Sequence, residues 1–91
     1  MADRTKEEGV ETDIYEGRLF GIFKGYRNYD TIFKFQGGSS WRQDEYLYRS
    51  HYLDSPNAKV VKVLTKKDRK EIFYIEVEGT ETPVKVKPSY G

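Results

Sequence analysis

Few side chains in this 91-residue chain are suited to covalent chemistry. It has no cysteine and one histidine, so disulfides, thiolate nucleophiles and zinc–thiolate sites are excluded. His51, in Arg49-Ser50-His51-Tyr52, is the single imidazole. As a general acid or base it would need a carboxylate, with Asp44 or Glu45 brought to it across the fold. The alternative is structural, a histidine packed across a tyrosine-rich strand, and that is the expectation here. Asp44 and Glu45 are neighbours, so on a strand they face opposite ways and cannot act as a carboxylate pair. Gly37-Gly38-Ser39-Ser40 has the composition of a phosphate-cradling loop, but no Gly-Lys-Ser/Thr and no helix follow it. It reads as a hairpin turn. Gly17, Gly21 and Gly25 fail as a dinucleotide fingerprint for the same reason. The chain is therefore expected to have no catalytic residue, no cofactor and no metal.

Binding chemistry is better represented. Eight tyrosines, five phenylalanines and one tryptophan make up 15% of the chain. Tyrosine and tryptophan offer large, rigid contact area, and arginine joins them in binding hot spots. The candidate binding residues are Tyr26, Trp41, Tyr46, Tyr48 and Tyr52, with Arg42 and Arg49 beside them. A protein partner, including a second copy of the chain, is the first expectation. The alternative is single-stranded nucleic acid, its bases stacked on the same aromatics and its phosphates met by Arg27, Arg42, Arg49 and Lys59. A tyrosine stripe could also be core, with its hydroxyls reaching the rim.

These residues need a scaffold, and the punctuation of the chain is β-like. Three glycines between Gly17 and Gly25 would cost a helix about 1 kcal/mol each, whereas a bent or bulged strand accommodates them. With Thr31–Phe35 after a polar turn at 27–30, that stretch reads as a hairpin. Tyr46, Tyr48 and Tyr52 share parity, so residues 41–52 read as strand, with His51 on the opposite face from Tyr48 and Tyr52. Runs at 58–64, 71–77 and 84–87 complete about six strands, the last a half-buried edge. The fold expected is all-β: a small antiparallel barrel or strongly bent sheet of SH3-like or OB-like kind. Its core would take Leu19 or Phe20, Ile22 or Phe23, Phe33, Phe35, Trp41, Val61, Val63, Phe73, Ile75, Val77 and Val84.

Charge divides the chain unevenly. Residues 1–16 carry Asp3, Glu7, Glu8, Glu11, Asp13 and Glu16 against Arg4 and Lys6. Between Lys59 and Lys70, by contrast, Lys59, Lys62, Lys66, Lys67, Arg69 and Lys70 face only Asp68. The expected organisation is a disordered acidic leader over 1–13, one domain over 14–88 and a tail over 89–91. The leader is either a solubilising end or an internal mimic of an acidic partner. The lysine-rich stretch is either a soluble hairpin tip or an anion-binding patch. No apolar run approaches the ~18 residues of a membrane span, and residues 1–13 lack the apolar stretch of a signal peptide. A cytoplasmic location, with no membrane partner, is expected.

The aromatic spacing resembles that of a family of small uncharacterised bacterial β-rich proteins, some encoded in integron gene cassettes. Phe23, Gly25 and Tyr26 match its F-x-G-[WY] strand, and Asp30, Thr31 and Phe33 its D-T-x-F strand. Trp41 and Gln43 match W-x-Q, followed by Tyr46, Tyr48, Tyr52 and Pro56. Val77, Glu78, Gly79, Val84 and Val86 match its closing V-E-G turn and V-x-V strand. The likeness covers roughly residues 19–87. It departs at Arg27-Asn28-Tyr29 and in the longer entry to Trp41. The resemblance implies a compact β-rich fold and brings no activity with it.

Overall fold

A computed structural model describes residues 6–80 and 82–89. Eight strands follow in chain order: β1 (Gly9–Arg18), β2 (Ile22–Arg27), β3 (Ile32–Lys34), β4 (Ser40–Gln43), β5 (Tyr48–Asp54), β6 (Asn57–Thr65), β7 (Glu71–Val77) and β8 (Val84–Pro88). Six of them form one antiparallel sheet in the order β1-β6-β7-β8-β4-β3, and β2 pairs with β5 as a separate ribbon. The all-β expectation holds, with eight strands in place of about six. Among the described residues no helix is long and apolar enough to cross a membrane.

The barrel does not close. The two edges of the large sheet meet at one bridge, Leu19 to Phe35. It is flanked by hydrogen bonds from the Phe20 amide to the Lys34 carbonyl (2.7 Å) and from the Gln36 amide to the Arg18 carbonyl (2.9 Å). Beyond it Gly21 takes φ +79°, a conformation glycine adopts without steric cost, and the chain leaves the sheet to begin β2. This also separates β2 from β3, which sequence pairs as a hairpin. After β2 the 3-10 turn Asn28–Asp30 carries the chain from the ribbon back to the sheet, with Asn28 at φ +57°. The Arg27 amide donates to the Thr31 hydroxyl across that turn. β8, expected at an edge, lies between β7 and β4.

The core fills the space between the ribbon and the inner face of the sheet. It holds Leu19, Phe23, Tyr26, Phe33, Phe35, Trp41, Leu47, Ala58, Val60, Ile75, Val77, Val84 and Val86. Leu19 and Phe23 are therefore the buried members of the two pairs that sequence left open. A second, smaller cluster of Val61, Val63 and Tyr74, with Ile72 against it, lies on the outer face. This explains the Val60-Val61 run, which breaks alternation because β6 buries side chains on both faces. A register shift opposite it, between Asp13 and Tyr15 of β1, marks the changeover.

The acidic leader is where sequence and structure part most. Residues 9–13 belong to β1, not to a disordered segment, and pair with β6 from Gly9↔Thr65 to Asp13↔Val61. Residues 6–8 pack on the outer face: the Lys6 ammonium bonds Glu76 and meets Glu11 at 3.0 Å, and the Glu7 amide donates to the Tyr74 hydroxyl at 3.0 Å. The physical reason is complementary charge, an acidic strand lying on the lysine-rich β6, with Asp13 and Lys59 3.8 Å apart. Residues 1–5 of the expected leader, and 90–91 of the expected tail, lie outside the described residues.

Candidate functional site

The ribbon has two unlike faces. Phe23, Tyr26, His51 and Leu53 turn inward, and Tyr48, Ser50, Tyr52 and Asp54 turn outward, those four all exposed. One extra residue sits in β5 between the pairs Phe23↔Leu53 and Gly25↔Ser50. Gly25 absorbs the irregularity at φ +117°. A Cβ there would fall 2.1 Å from the Arg49 carbonyl oxygen, so only glycine lets the two strands approach.

That irregularity reverses the alternation of β2 and sends Tyr26 into the core, fully buried, where its hydroxyl hydrogen-bonds the Thr80 hydroxyl at 2.9 Å. Burial pushes the Tyr26 phenol above its usual value, against the Thr80 bond and the Arg49 charge, which pull it down. Trp41 is buried too, opposite Phe33 across β3–β4. Its indole N–H donates to Ser39 Oγ at 2.8 Å and its ring lies 5.4 Å from Phe73. Tyr26 and Trp41 thus leave the set of binding residues. They are core aromatics whose polar atoms find partners inside the molecule.

Tyr46, Tyr48 and Tyr52 stand out from the surface at 76%, 59% and 77% exposure. The stretch 41–52 is two strands rather than one, broken at residues 44–47, so Tyr46 lies on the connection and not on the strand of the other two. Buried Gln43 fixes that connection: its side-chain amide donates to the Glu45 and Leu47 carbonyls at 2.9 and 3.0 Å. The fixed loop presents Tyr46 to solvent.

Along β5, Tyr48 and Tyr52 are four residues and about 13 Å apart. Between them lie Ser50 and, across the ribbon, Gly25, two small residues that make a low floor between tyrosine walls. On the β2 side the Arg27 guanidinium lies 5.7 Å from the centre of the Tyr48 ring, and its Nη1 donates to the Tyr48 hydroxyl at 3.1 Å. Arg27 thus belongs to this face by contact, although sequence names it only among the cations that would meet phosphates and sets Arg42 and Arg49 beside the tyrosines. The signal for it lies in the pairing Arg27↔Tyr48, between strands twenty residues apart in the chain. Arg49 pairs opposite Tyr26 in the same ribbon and is exposed. Arg42 belongs to the large sheet instead and bonds the Tyr29 carbonyl at 3.0 Å.

His51 faces inward, as parity demands, with its ring stacked 6.2 Å from Phe23 and edge-on to Tyr26 at 5.9 Å. Asp44 and Glu45 are engaged elsewhere: Asp44 lies 3.9 Å from Lys87, and Glu45 Oε2 accepts the Lys85 amide at 2.6 Å. Among the described residues no group of three or more His, Cys, Asp or Glu could hold a metal ion. Comparison with protein-family models, with curated proteins and with solved structures finds no match to this chain.

Proposed function

We propose that this chain is a non-enzymatic binding module that takes another protein on the outer face of the β2–β5 ribbon, through Tyr48 and Tyr52, with Tyr46 at the margin. One observation carries this reading: two tyrosines are wholly displayed on a ribbon whose other face is locked into the aromatic core. A tyrosine on a rigid strand loses little side-chain freedom on contact and presents both an apolar ring and a hydroxyl. Arg27, already ordered against Tyr48, adds a cation at little further entropic cost. His51 supports the absence of catalysis, being committed to Phe23 and Tyr26 in packing.

Nucleic acid is the second reading, favoured by the charge of the same ribbon, where Lys24, Arg27 and Arg49 face one acid, Asp54. The two readings part under salt. The experiment is to cross-link the purified chain in cell extract, identify what it retains, and repeat the capture with Tyr48→Ala/Tyr52→Ala. A partner lost by that variant supports the proposal. An oligonucleotide bound at low salt, released at high salt and lost by the same variant would move the assignment to nucleic acid. Retention of every partner by the variant would overturn both.

A further inference from the structure

On the outer face of the large sheet, far in the chain from the tyrosines, the acidic segment Glu7–Glu8 lies along a cleft of about 590 Å³ at the β6–β7 turn. Lys66, Lys67, Lys70 and Lys85 line it with those two glutamates and Asp68, which lies 3.8 Å from Lys70, and Ile72 borders it. The segment is held by its backbone. The Glu7 amide donates to the Tyr74 hydroxyl at 3.0 Å, and the Lys66 amide donates to the Glu8 carbonyl at 3.4 Å. Both its glutamates are exposed at the rim of the cleft that the lysines line. The turn is itself fixed: the Thr65 hydroxyl bonds Asp68, holding that carboxylate below its usual range, and the Arg69 amide returns to the Thr65 carbonyl at 3.1 Å.

We infer that this cleft is a docking site for an extended acidic peptide segment of a partner protein, and that Glu7–Glu8 is its built-in competitor. The chain carries its own example of the ligand: a short acidic segment anchored by its backbone at Tyr74 and Lys66, beside a lysine-lined cleft. Four lysines against Glu7, Glu8 and Asp68 leave a cation in excess, and displacement of the two glutamates frees more for a more acidic segment. A partner segment needs only the same backbone contacts and more carboxylates to win. While the cover is in place, apparent affinity is lowered by the fraction of molecules in which it is seated.

The test uses the full chain and a fluorescent hexaglutamate peptide, read by anisotropy at low and moderate salt. Glu7→Gln/Glu8→Gln should tighten binding about tenfold by weakening the competitor. Tyr74→Phe removes a backbone anchor that the cover and the incoming peptide share, so it should shift affinity far less than the glutamate variant does. Lys66→Gln/Lys67→Gln/Lys70→Gln should abolish binding, and Tyr48→Ala/Tyr52→Ala should leave it unchanged, which keeps this site distinct from the tyrosine face. All the charged positions are at the surface, and thermal unfolding checks each fold. Unchanged affinity in Glu7→Gln/Glu8→Gln would overturn the inference. So would binding of a heparin fragment or oligonucleotide without binding of hexaglutamate, since that cleft would then read phosphate or sulfate and not a peptide carboxylate.

Discussion

The large sheet is covered on its inner face by the β2–β5 ribbon and on its outer face by residues 6–8, and the two covers are made of different chemistry. The ribbon contributes Phe23 and Tyr26 to the main core, with Leu53 packed against it. Its two strands are closed on each other beyond both ends of β2, by the Asn28 amide to the Leu47 carbonyl and the Ser55 amide to the Gly21 carbonyl, both at 2.9 Å, and the Tyr26 hydroxyl reaches Thr80 after β7. The N-terminal segment contributes an ion pair and two backbone bonds over a much smaller apolar cluster. Apolar burial of this kind contributes several kcal/mol and ignores salt, whereas exposed charge contacts contribute little and are screened. One cover is therefore part of the fold, and the other is a removable layer on it.

The sharpest way to break this contrast is through Tyr26. Tyr26→Ala should cost about 3–5 kcal/mol by the cavity it leaves and unfold a chain this small near room temperature. Denaturant titration measures it, and a loss below about 1 kcal/mol would show that the ribbon is no more integral than the outer segment. Gly25→Ala comes next. It places a Cβ against the Arg49 carbonyl and forces a side chain onto a φ of +117°, so a cost of about 2–3 kcal/mol is expected in the same titration.

These two positions also show what could be read from sequence and what could not. The strands and the aromatic core were legible in runs such as Ala58–Leu64 and Glu71–Val77, because β-branched and aromatic residues between turn residues have few other uses. The inward turn of His51 followed from parity alone. The burial of Tyr26 was hidden, because a single glycine at positive φ reverses the alternation on which parity counts depend. The pairing of β2 with β5 was hidden as well, since it joins residues far apart with the whole β3–β4 hairpin between them. Trp41 was legible as core and also attractive as a binding residue, and composition alone gave no means of choosing. The order of residues 9–13 depends on lysines some fifty positions away, and a local reading of charge cannot reach them.

Alkaline pH tests the same contrast more gently. The Tyr26 phenol is raised above 10.0 in the fold by burial, so the unfolded chain ionises first. Its contribution is complete below pH 10 and is lost as pH rises through the folded value. Stability should therefore fall above pH 10, and Tyr26→Phe should flatten that limb at a cost near 1 kcal/mol at neutral pH. Thermal melts across pH 8–11 report it, and an unchanged alkaline limb in the variant would assign the loss to other groups. Lys6 also titrates in this region: burial pulls it down, but Glu76 and Glu11 outweigh burial and raise it above 10.5. Lys6→Ala should cost well under 1 kcal/mol and lose even that in high salt. A larger, salt-independent cost would make the outer cover structural after all. The smallest effect belongs to Tyr52→Ala, expected within about 0.5 kcal/mol of the parent because its ring is 77% exposed. A marked loss of stability there would mean that Tyr52 serves the fold and is no free contact surface.

The pairing of Gly9 with Thr65 sets an order of events during synthesis. β1 leaves the ribosome ahead of the other seven described strands, yet its extended partner, β6, is complete only after some fifty more residues have followed. Until then the β1 backbone has both edges open, and the chain must close one of its longest loops to satisfy the inner edge. Such non-local pairing places folding in the millisecond-to-second range rather than the microseconds of helical bundles. An unpaired strand waiting that long is a template for pairing with other nascent chains. Glu11, Asp13 and Glu16 give β1 a repeated negative charge that repels identical copies while it waits. Two of these side chains later meet Lys59 of β6, Glu16 directly opposite it and Asp13 at 3.8 Å, so the charge that protects the acidic strand from its neighbours also helps to guide it home.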